Sequence, residues 1–559
     1  MRRRYRERAS LGIASWSLTV MVALSSCGST TDEQAAPVLF DDPGSPGPSP
    51  PSSPLSGFTD ITSWSGAFIT SFRRGGSLVD VDGDGFDDLL LPYEKQLVVL
   101  VNRRDGSFYP RWAVELPYAA SAFYVAELTG DGFDDVLALT LGGELILAGN
   151  GTGYFAPPEM LAPLGPDGEP SVASFGDFDR DGRLDIYLGR LLVAFGDESE
   201  EDEDDAAEVC FEPNPQRRAA GKADEGVVLG RNYFGGQPAG VDRLLLSSSD
   251  WSAADLEPVE GMYTQAAAVV DMDGDGQLDI FVGSEGLRRD IIYRPRADGS
   301  FAAEYAFPED ILTSAMGFDA VDFDGDGTLE LWVADDGERG DRIFQWAGQS
   351  YALVSEAFGF DTVAWLSAWG GGFFDWDHDG DLDFFAAHGI PLGVGCPGGG
   401  QPNLALMNDG SNQFRRFDAA PGGLDPVWNS RAALFSDIDH DGDIDIFIQN
   451  VDGPPQLLRN DFEKLGYWLQ VRLEHPTLSP VVGARVDVTR GSLRMRRDVI
   501  GTPSFGGSST EWLHFGLPDA QPVTIVVTWP DGSRQEHQNV ALQQFVTLNF
   551  SGTRTVRLR

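Results

Sequence analysis

The sequence predicts an all-β protein, and three observations predict it. An acidic nine-residue loop recurs seven times along the 559 residues, short apolar runs flank each copy, and 67 Gly with 34 Pro supply many turns. First positions of the loops lie 47, 50, 94, 51, 53 and 62 residues apart, and intervals near 50 suit four short strands each. Four-stranded sheets arranged radially make a β-propeller, so seven loops predict seven blades. After the last loop the sequence changes type and reads as a small β-sandwich-like domain.

Composition excludes several classes. Against 87 Asp plus Glu stand 40 Lys plus Arg, a net charge of −47, which opposes nucleic-acid binding because that affinity comes largely from Lys and Arg displacing counterions. With 42% hydrophobic and 11% aromatic residues the chain can bury a large core, so disorder does not account for the acidity. Three Cys cannot build a disulfide scaffold.

Along the chain, residues 1–27 come first. A basic start, MRRRYRER, precedes an apolar stretch too short to span a bilayer and then Leu24-Ser-Ser-Cys27, the pattern of a secretory signal. Leu24 to Cys27 resembles the bacterial lipobox, which implies acylation of Cys27; an ordinary cleaved signal is the alternative. Residues 28–57, with Pro-Gly-Ser-Pro-Gly-Pro-Ser-Pro-Pro-Ser-Ser-Pro at 43–54, read as an extended tether. A membrane is expected to be met only through the anchor.

The loops follow. They are Asp80-Val-Asp82-Gly-Asp84-Gly85-Phe-Asp-Asp88, Glu127-Leu-Thr129-Gly-Asp131-Gly132-Phe-Asp-Asp135, Asp177-Phe-Asp179-Arg-Asp181-Gly182-Arg-Leu-Asp185 and Asp271-Met-Asp273-Gly-Asp275-Gly276-Gln-Leu-Asp279. Three more are Asp322-Phe-Asp324-Gly-Asp326-Gly327-Thr-Leu-Glu330, Asp375-Trp-Asp377-His-Asp379-Gly380-Asp-Leu-Asp383 and Asp437-Ile-Asp439-His-Asp441-Gly442-Asp-Ile-Asp445. Acids at positions 1, 3, 5 and 9 are the expected ligands of a hard cation. Ca²⁺ takes six to eight oxygens, and alternate side chains converge on one ion only if the chain turns sharply, which Gly at position 6 permits. The carbonyl of position 7 is a further candidate ligand. Zinc would want Cys or His, and Mg²⁺ a tighter octahedron, so up to seven structural Ca²⁺ are expected. An EF-hand would close on Glu at position 12 between helices; here position 9 leads into strand-like runs such as Ile280-Phe-Val. Glu127 and Thr129 make the second loop a weak or empty site.

The interval of 94 contains nine acids in residues 197–208, which reads as an insertion at about 190–236 rather than a degenerate eighth blade, with Arg243-Leu-Leu-Leu246 as the missing third strand. The seventh blade lacks an outer strand. Residues 57–62 precede the first blade without one of their own and are expected to close the ring.

These repeats resemble the FG-GAP and VCBS families, with Phe175-Gly176-Asp177 close to the name-giving motif. Residues 466–552, through Trp468-Leu-Gln-Val-Arg-Leu-Glu474, Leu513-His-Phe-Gly-Leu517 and Val527-Thr-Trp-Pro-Asp-Gly532, resemble the ASPIC/UnbV domain. The pairing is similar to the cartilage acidic protein type and implies calcium binding, with adhesion or matrix roles only loosely suggested. The propeller is placed at residues 58–462.

No Gly-x-Ser-x-Gly elbow, phosphate loop or His-Glu-x-x-His helix occurs. His378 and His440, at position 4 of their loops, are expected to point outward. Arg339-Gly340-Asp341 is read as an accidental tripeptide. Cys210 and Cys396 are expected on the face opposite the loops, as a disulfide or as two free thiols. The reading is a non-enzymatic, calcium-stabilised module anchored at a bacterial envelope that contacts protein or glycan. A calcium-dependent polysaccharide lyase on the same scaffold is the alternative. At dissociation constants of about 10⁻⁴ M, millimolar calcium contributes on the order of 1.4 kcal/mol per site.

Overall fold

A computed structural model describes residues 38–39, 57–67, 75–163, 168–191, 239–335, 340–348, 350–360, 366–390, 400–417, 427–451 and 453–558. Cys27, Cys210, Cys396, Arg339, most of the tether and the acidic run at 197–208 lie outside them.

Seven antiparallel sheets follow one another along the chain and pack first strand against first strand, with the first strand of the seventh blade returning to that of the first. Blade 1 comprises Ser77–Val79, Asp88–Tyr93, Gln96–Asn102 and Phe108–Glu115, with Val38–Leu39 added at its outer edge. Blade 2 runs from Ala120–Ala126 to Glu159–Pro163, blade 3 from Pro170–Gly176 to Ser252–Ala253 and blade 4 from Thr264–Val270 to Phe301–Tyr305. Blade 5 runs from Ala315–Val321 to Tyr351–Leu353 and blade 6 from Ala368–Phe374 to Phe414–Arg416.

Both irregularities expected from the spacing are found. Arg243–Leu246 pairs with Asp185–Arg190 as the third strand of blade 3. In blade 7, made of Ser430–Ser436, Asp445–Asn450 and Gln456–Asn460, the outer strand is Phe58–Asp60, held in register Phe58 to Asn460 and Asp60 to Leu458. The outermost strand of the last blade therefore comes from the start of the described chain, so closing the ring joins two segments some 400 residues apart.

The loop pattern dictates the local structure. Position 1 is the residue after the first strand and position 9 opens the second strand in every blade, for instance Asp375 after Phe374 and Asp383 at the head of Asp383–His388. Position 9 consequently points back under the loop, between two buried strands.

The C-terminal segment forms two four-stranded sheets. One is ordered Leu513–Leu517, Tyr467–Glu474, Gln544–Asn549, Arg554–Leu558; the other is Leu493–Asp498, Arg485–Arg490, Val523–Thr528, Arg534–Val540. Alternation such as Val486, Val488 inward sets their shared interior, which is continuous with residues of blades 2 and 3, among them Leu128, Leu139, Phe175 and Leu184. Propeller and C-terminal sheets thus share one apolar core on the loop side.

Candidate metal loops and the strap that closes the channel

The seven loops share one hydrogen-bonding scheme. The N–H of Gly at position 6 donates to the position 1 acid, at 2.9–3.1 Å in six loops and at 3.4 Å to Glu127. The position 5 carboxylate accepts the N–H of position 7 at 2.8–3.1 Å in all seven. The position 9 carboxylate accepts the N–H of position 2 at 2.9–3.3 Å. Its other oxygen takes an N–H from the end of the third strand in blades 1, 2, 3, 6 and 7, from Asn102, Gly149, Ser247, Asn408 and Asn460. Positions 4 and 6 both adopt positive φ throughout, which Gly meets without strain and which Arg180, His378 and His440 meet at position 4.

This scheme brings carboxylates together. Oxygens of Asp80, Asp82 and Asp88 lie within 4.8 Å of one another, as do those of Asp177, Asp179 and Asp185, of Asp271, Asp273 and Asp279, of Asp322, Asp324 and Glu330, and of Asp375, Asp377 and Asp383. Positions 1, 3 and 9 supply each group, while position 5 (Asp84, Asp181, Asp275, Asp326 and Asp379) spends one oxygen on its own turn. Burial holds these acids far from their ordinary range: Asp185 and Asp279 are pushed up to about 7, Glu330 to about 8 and Asp177 to about 6, while Asp88, Asp375 and Asp383 are pushed well above it. In blade 7, Asp437 and Asp445 are raised the same way, with Asp439 and Asp441 adding repulsion. In loop 2, burial raises Glu127 and Asp135.

Whether a cation suits such a group is answered at blade 6. Asp375 is fully buried; its Oδ2 accepts the Gly380 N–H, and its Oδ1 has no partner. A buried carboxylate oxygen facing two more carboxylates is costly unless a cation satisfies it. Asp322 Oδ1 of blade 5 is also buried without a partner. The donor set is all oxygen, which suits a hard divalent ion.

At the axis of the ring, residues 500–510 leave the C-terminal sheets, cross the channel and return. Leu78 donates to Ser508 O, Val125 to Ser508 Oγ, Ser174 to Gly501 O and Gly371 to Ser504 Oγ. Gly501 exchanges backbone bonds with Val269, Ser504 does so with Phe318, and Thr510 donates to Phe435 O. One strap therefore bonds to the innermost strand of all seven blades. Small residues make the approach possible: a Cβ on Gly507 would fall 1.6 Å from Gly76 O, and one on Gly501 would fall 2.4 Å from Phe175 O.

A profile of the FG-GAP-like repeat matches residues 80–138, 128–188 and 271–333, and one of the ASPIC and UnbV family matches residues 476–555. The chain carries FG-GAP-like repeats and an ASPIC and UnbV domain. Integrin alpha-5 of Xenopus laevis is 30% identical over 128 residues, 22% of this chain and 9% of that protein, so the chain spans under a tenth of that relative's length. Among solved structures, an Agrocybe aegerita lectin described by its recognition of non-reducing terminal N-acetylglucosamine superposes at a TM-score of 0.38 with 17% identity, covering 71% of this chain and 93% of the lectin. A luciferin-regenerating enzyme does so at 0.35 with 10% identity, covering 72% and 94%. Scores this low carry no further argument.

The ASPIC and UnbV domain rests on the loops themselves, and here two expectations fail. His378 and His440 do not point outward but are buried. His440 stacks between Phe86 at 3.8 Å and Phe545 of the domain at 4.3 Å, and the His378 ring lies 5.1 Å from that of His514. Burial drives both imidazoles down to about 3, so they serve as flat, neutral packing surfaces. Around them Gln470 donates to Asp437 Oδ2 at 2.7 Å, Leu465 N–H to Asp377 O at 2.7 Å, and Arg472 approaches Asp80 at 3.5 Å and Glu511 at 3.1 Å. Loops 1 and 2 carry Asp at position 8 where the others carry Leu or Ile; these two, Asp87 and Asp134, share the Arg472 charge, and burial pushes both up to about 7. On the far side, a Cβ at Gly274, Gly276, Gly325 or Gly327 of blades 4 and 5 would meet open space, and of these turns Arg180 and Arg496 reach only the Gly276 and Gly327 carbonyls.

Asp341 of the Arg-Gly-Asp tripeptide is buried and accepts the Trp332 indole N–H at 2.8 Å, with His388 Nε2 at 3.1 Å, so it is a core residue. Among the described residues no helix is long and apolar enough to cross a membrane.

Proposed function

We propose that the chain is a non-enzymatic, calcium-stabilised binding scaffold of the extracellular or cell-envelope space, held to a membrane through acylated Cys27. The observation that carries the calcium reading is Asp375 Oδ1, buried and unpartnered beside Asp377 and Asp383. Calcium supplies charge neutralisation and joins the first and second strands of a blade. The residues to hold it are positions 1, 3 and 9, with positions 5 and 7 as further donors: Asp80, Asp82 and Asp88; Asp177, Asp179 and Asp185; Asp322, Asp324 and Glu330; Asp375, Asp377 and Asp383; Asp437, Asp439 and Asp445. FG-GAP repeats and the partial likeness to an integrin α chain fit an extracellular setting.

What supports a scaffold over a channel enzyme is the strap, because the space where substrate would enter is filled by the chain's own Gly501 to Thr510. The remaining axial cavity is about 200 Å³. A larger cleft of about 470 Å³ opens between loops 3 and 4 and the ASPIC and UnbV domain, walled by Phe178, Arg180, Gln277, His475 and Arg485. Aromatic and hydrogen-bonding groups together suit a glycan, and this cleft is its place in the reading.

Metal content and thermal melting of the purified chain, with millimolar calcium and after chelation, test the proposal. Five or more calcium ions and a fall in Tm of 10 °C or more on chelation are expected, given about 1.4 kcal/mol per site. Equal melts would sink the calcium reading. A glycan array on the same sample, repeated with Arg180→Ala, tests the cleft.

A further inference from the structure

Blade 4 departs from its neighbours at one position of the third strand. In register, Ile280 pairs with Tyr293, Leu331 with Phe344, Phe384 with Leu406 and Ile446 with Leu458. The next residue is therefore Arg294 in blade 4, Gln345 in blade 5, Met407 in blade 6 and Arg459 in blade 7. Arg294 turns into the acidic group: Nη1 lies 2.7 Å from Asp273 Oδ2 and 2.9 Å from Asp279 Oδ2, and Nε lies 3.2 Å from Glu304. Gln345 reaches the same two places without charge, at 3.0 Å from Asp324 and 3.2 Å from Glu330. Met407 cannot bond at all, which leaves the blade 6 group to itself.

Arg459 shows why Arg294 turns inward. Two residues on, blade 7 has Asp461, which draws the Arg459 guanidinium at 3.0 and 3.1 Å, although its charge also acts on Asp439 and Asp445. Two residues after Arg294 stands Arg296, which repels it and pairs with Glu257. The residue between also differs. Asn460 gives its N–H to Asp445 Oδ1, whereas Pro295 has none to give Asp279 Oδ1, and Arg294 instead bonds Asp279 Oδ2, the oxygen that also takes the Met272 N–H.

We propose that in blade 4 the Arg294 guanidinium is the resident cation and that this loop takes no calcium. The proposal rests on the calcium reading of the other loops. A cation bonded to Asp273 Oδ2 and Asp279 Oδ2 occupies two of the three carboxylates an ion would use and opposes a second positive charge in the same space. Sequence alone ranks loop 2 as the weak site; the register of the third strand adds loop 4, whose own acids match the pattern in full.

The test is calcium stoichiometry by native mass spectrometry on the full chain and three variants. Asp273→Asn is expected to leave the count unchanged, Asp377→Asn to lower it by one, and Arg294→Met, which copies blade 6, to raise it by one. Arg294→Met should also melt below the wild type in chelator, having lost its counter-ion, and regain the difference in calcium. Loss of one ion in Asp273→Asn overturns the proposal even if Arg294→Met fails to fold, as does an unchanged count in a folded Arg294→Met. An unchanged count in Asp377→Asn would defeat the calcium reading of the loops and this inference with it.

Discussion

Loops 6 and 7 lie buried beneath the ASPIC and UnbV domain, while loops 4 and 5 meet it only at their edges and keep exposed turns, and one nine-residue pattern serves both. The covered loops have His at position 4, a further acid at position 7 (Asp381 and Asp443) and a neighbour pressed against every turn; the exposed ones have Gly at positions 4 and 6 with no atom within 4 Å of where a Cβ would lie, their turns touched only through carbonyls such as Gly276 O by Arg180 and Gly327 O by Arg496. The difference teaches that the pattern fixes the turn and leaves its outer positions free to be used for docking. Charge follows the same division. Residues 466–559 carry ten Arg against seven Asp plus Glu, a net of +3, which leaves −50 for the rest of the chain. A basic domain seated on acidic turns neutralises by contact what calcium, in the proposed reading, would neutralise by coordination.

The comparison breaks most sharply at position 6. Gly442→Ala would place a Cβ 2.0 Å from Trp468 Nε1, so the domain must move; a loss of about 3 kcal/mol or more is expected by denaturant titration. Gly327→Ala meets nothing and pays only for its positive φ, about 1 kcal/mol. Equal losses would mean that coverage is incidental. Between these lies Arg472→Met. It strips the guanidinium that pairs with both Asp80 and Glu511, and a one-fifth exposed side chain puts the expected loss at roughly 2 to 3 kcal/mol. A neutral result would show that Asp87 and Asp134 are already protonated and need no partner.

Much of this was legible in the sequence because the repeat is local. Position 6 must turn, position 9 must open a strand, and seven copies in register fix the ring; the closing strand Phe58–Asp60 followed from counting the strands of blade 7. The strap was not legible, since Gly501 to Thr510 shows no strand or helix period and its partners lie up to 431 residues away, as Ser77 does from Ser508. The fate of His378 and His440 was missed because position 4 is solvent-facing unless another domain covers it. One signal was available: a bulky residue tolerating positive φ where four other loops use Gly. Arg294 escaped notice because its role depends on strand register, which only the paired blades reveal.

The smallest effect sharpens the comparison by separating coverage from blade. Asp319 belongs to blade 5, whose loop is open, yet it sits on the inner strand under the strap, accepting N–H bonds from Phe373 and Ala320. Burial raises its carboxyl to about 6, above the ordinary value near 3.9. A raised folded-state value means that its contribution to stability is complete below about pH 4 and is lost as pH climbs through 6, where the folded state must hold a buried charge. Asp319→Asn stays neutral. In saturating calcium, the stability of Asp319→Asn relative to the wild type should therefore improve by roughly 1 to 3 kcal/mol between pH 4 and pH 7. A gap that does not change with pH would mean that Arg497, across the axial cavity, already compensates the charge, and that the strap covers polar groups at no electrostatic cost.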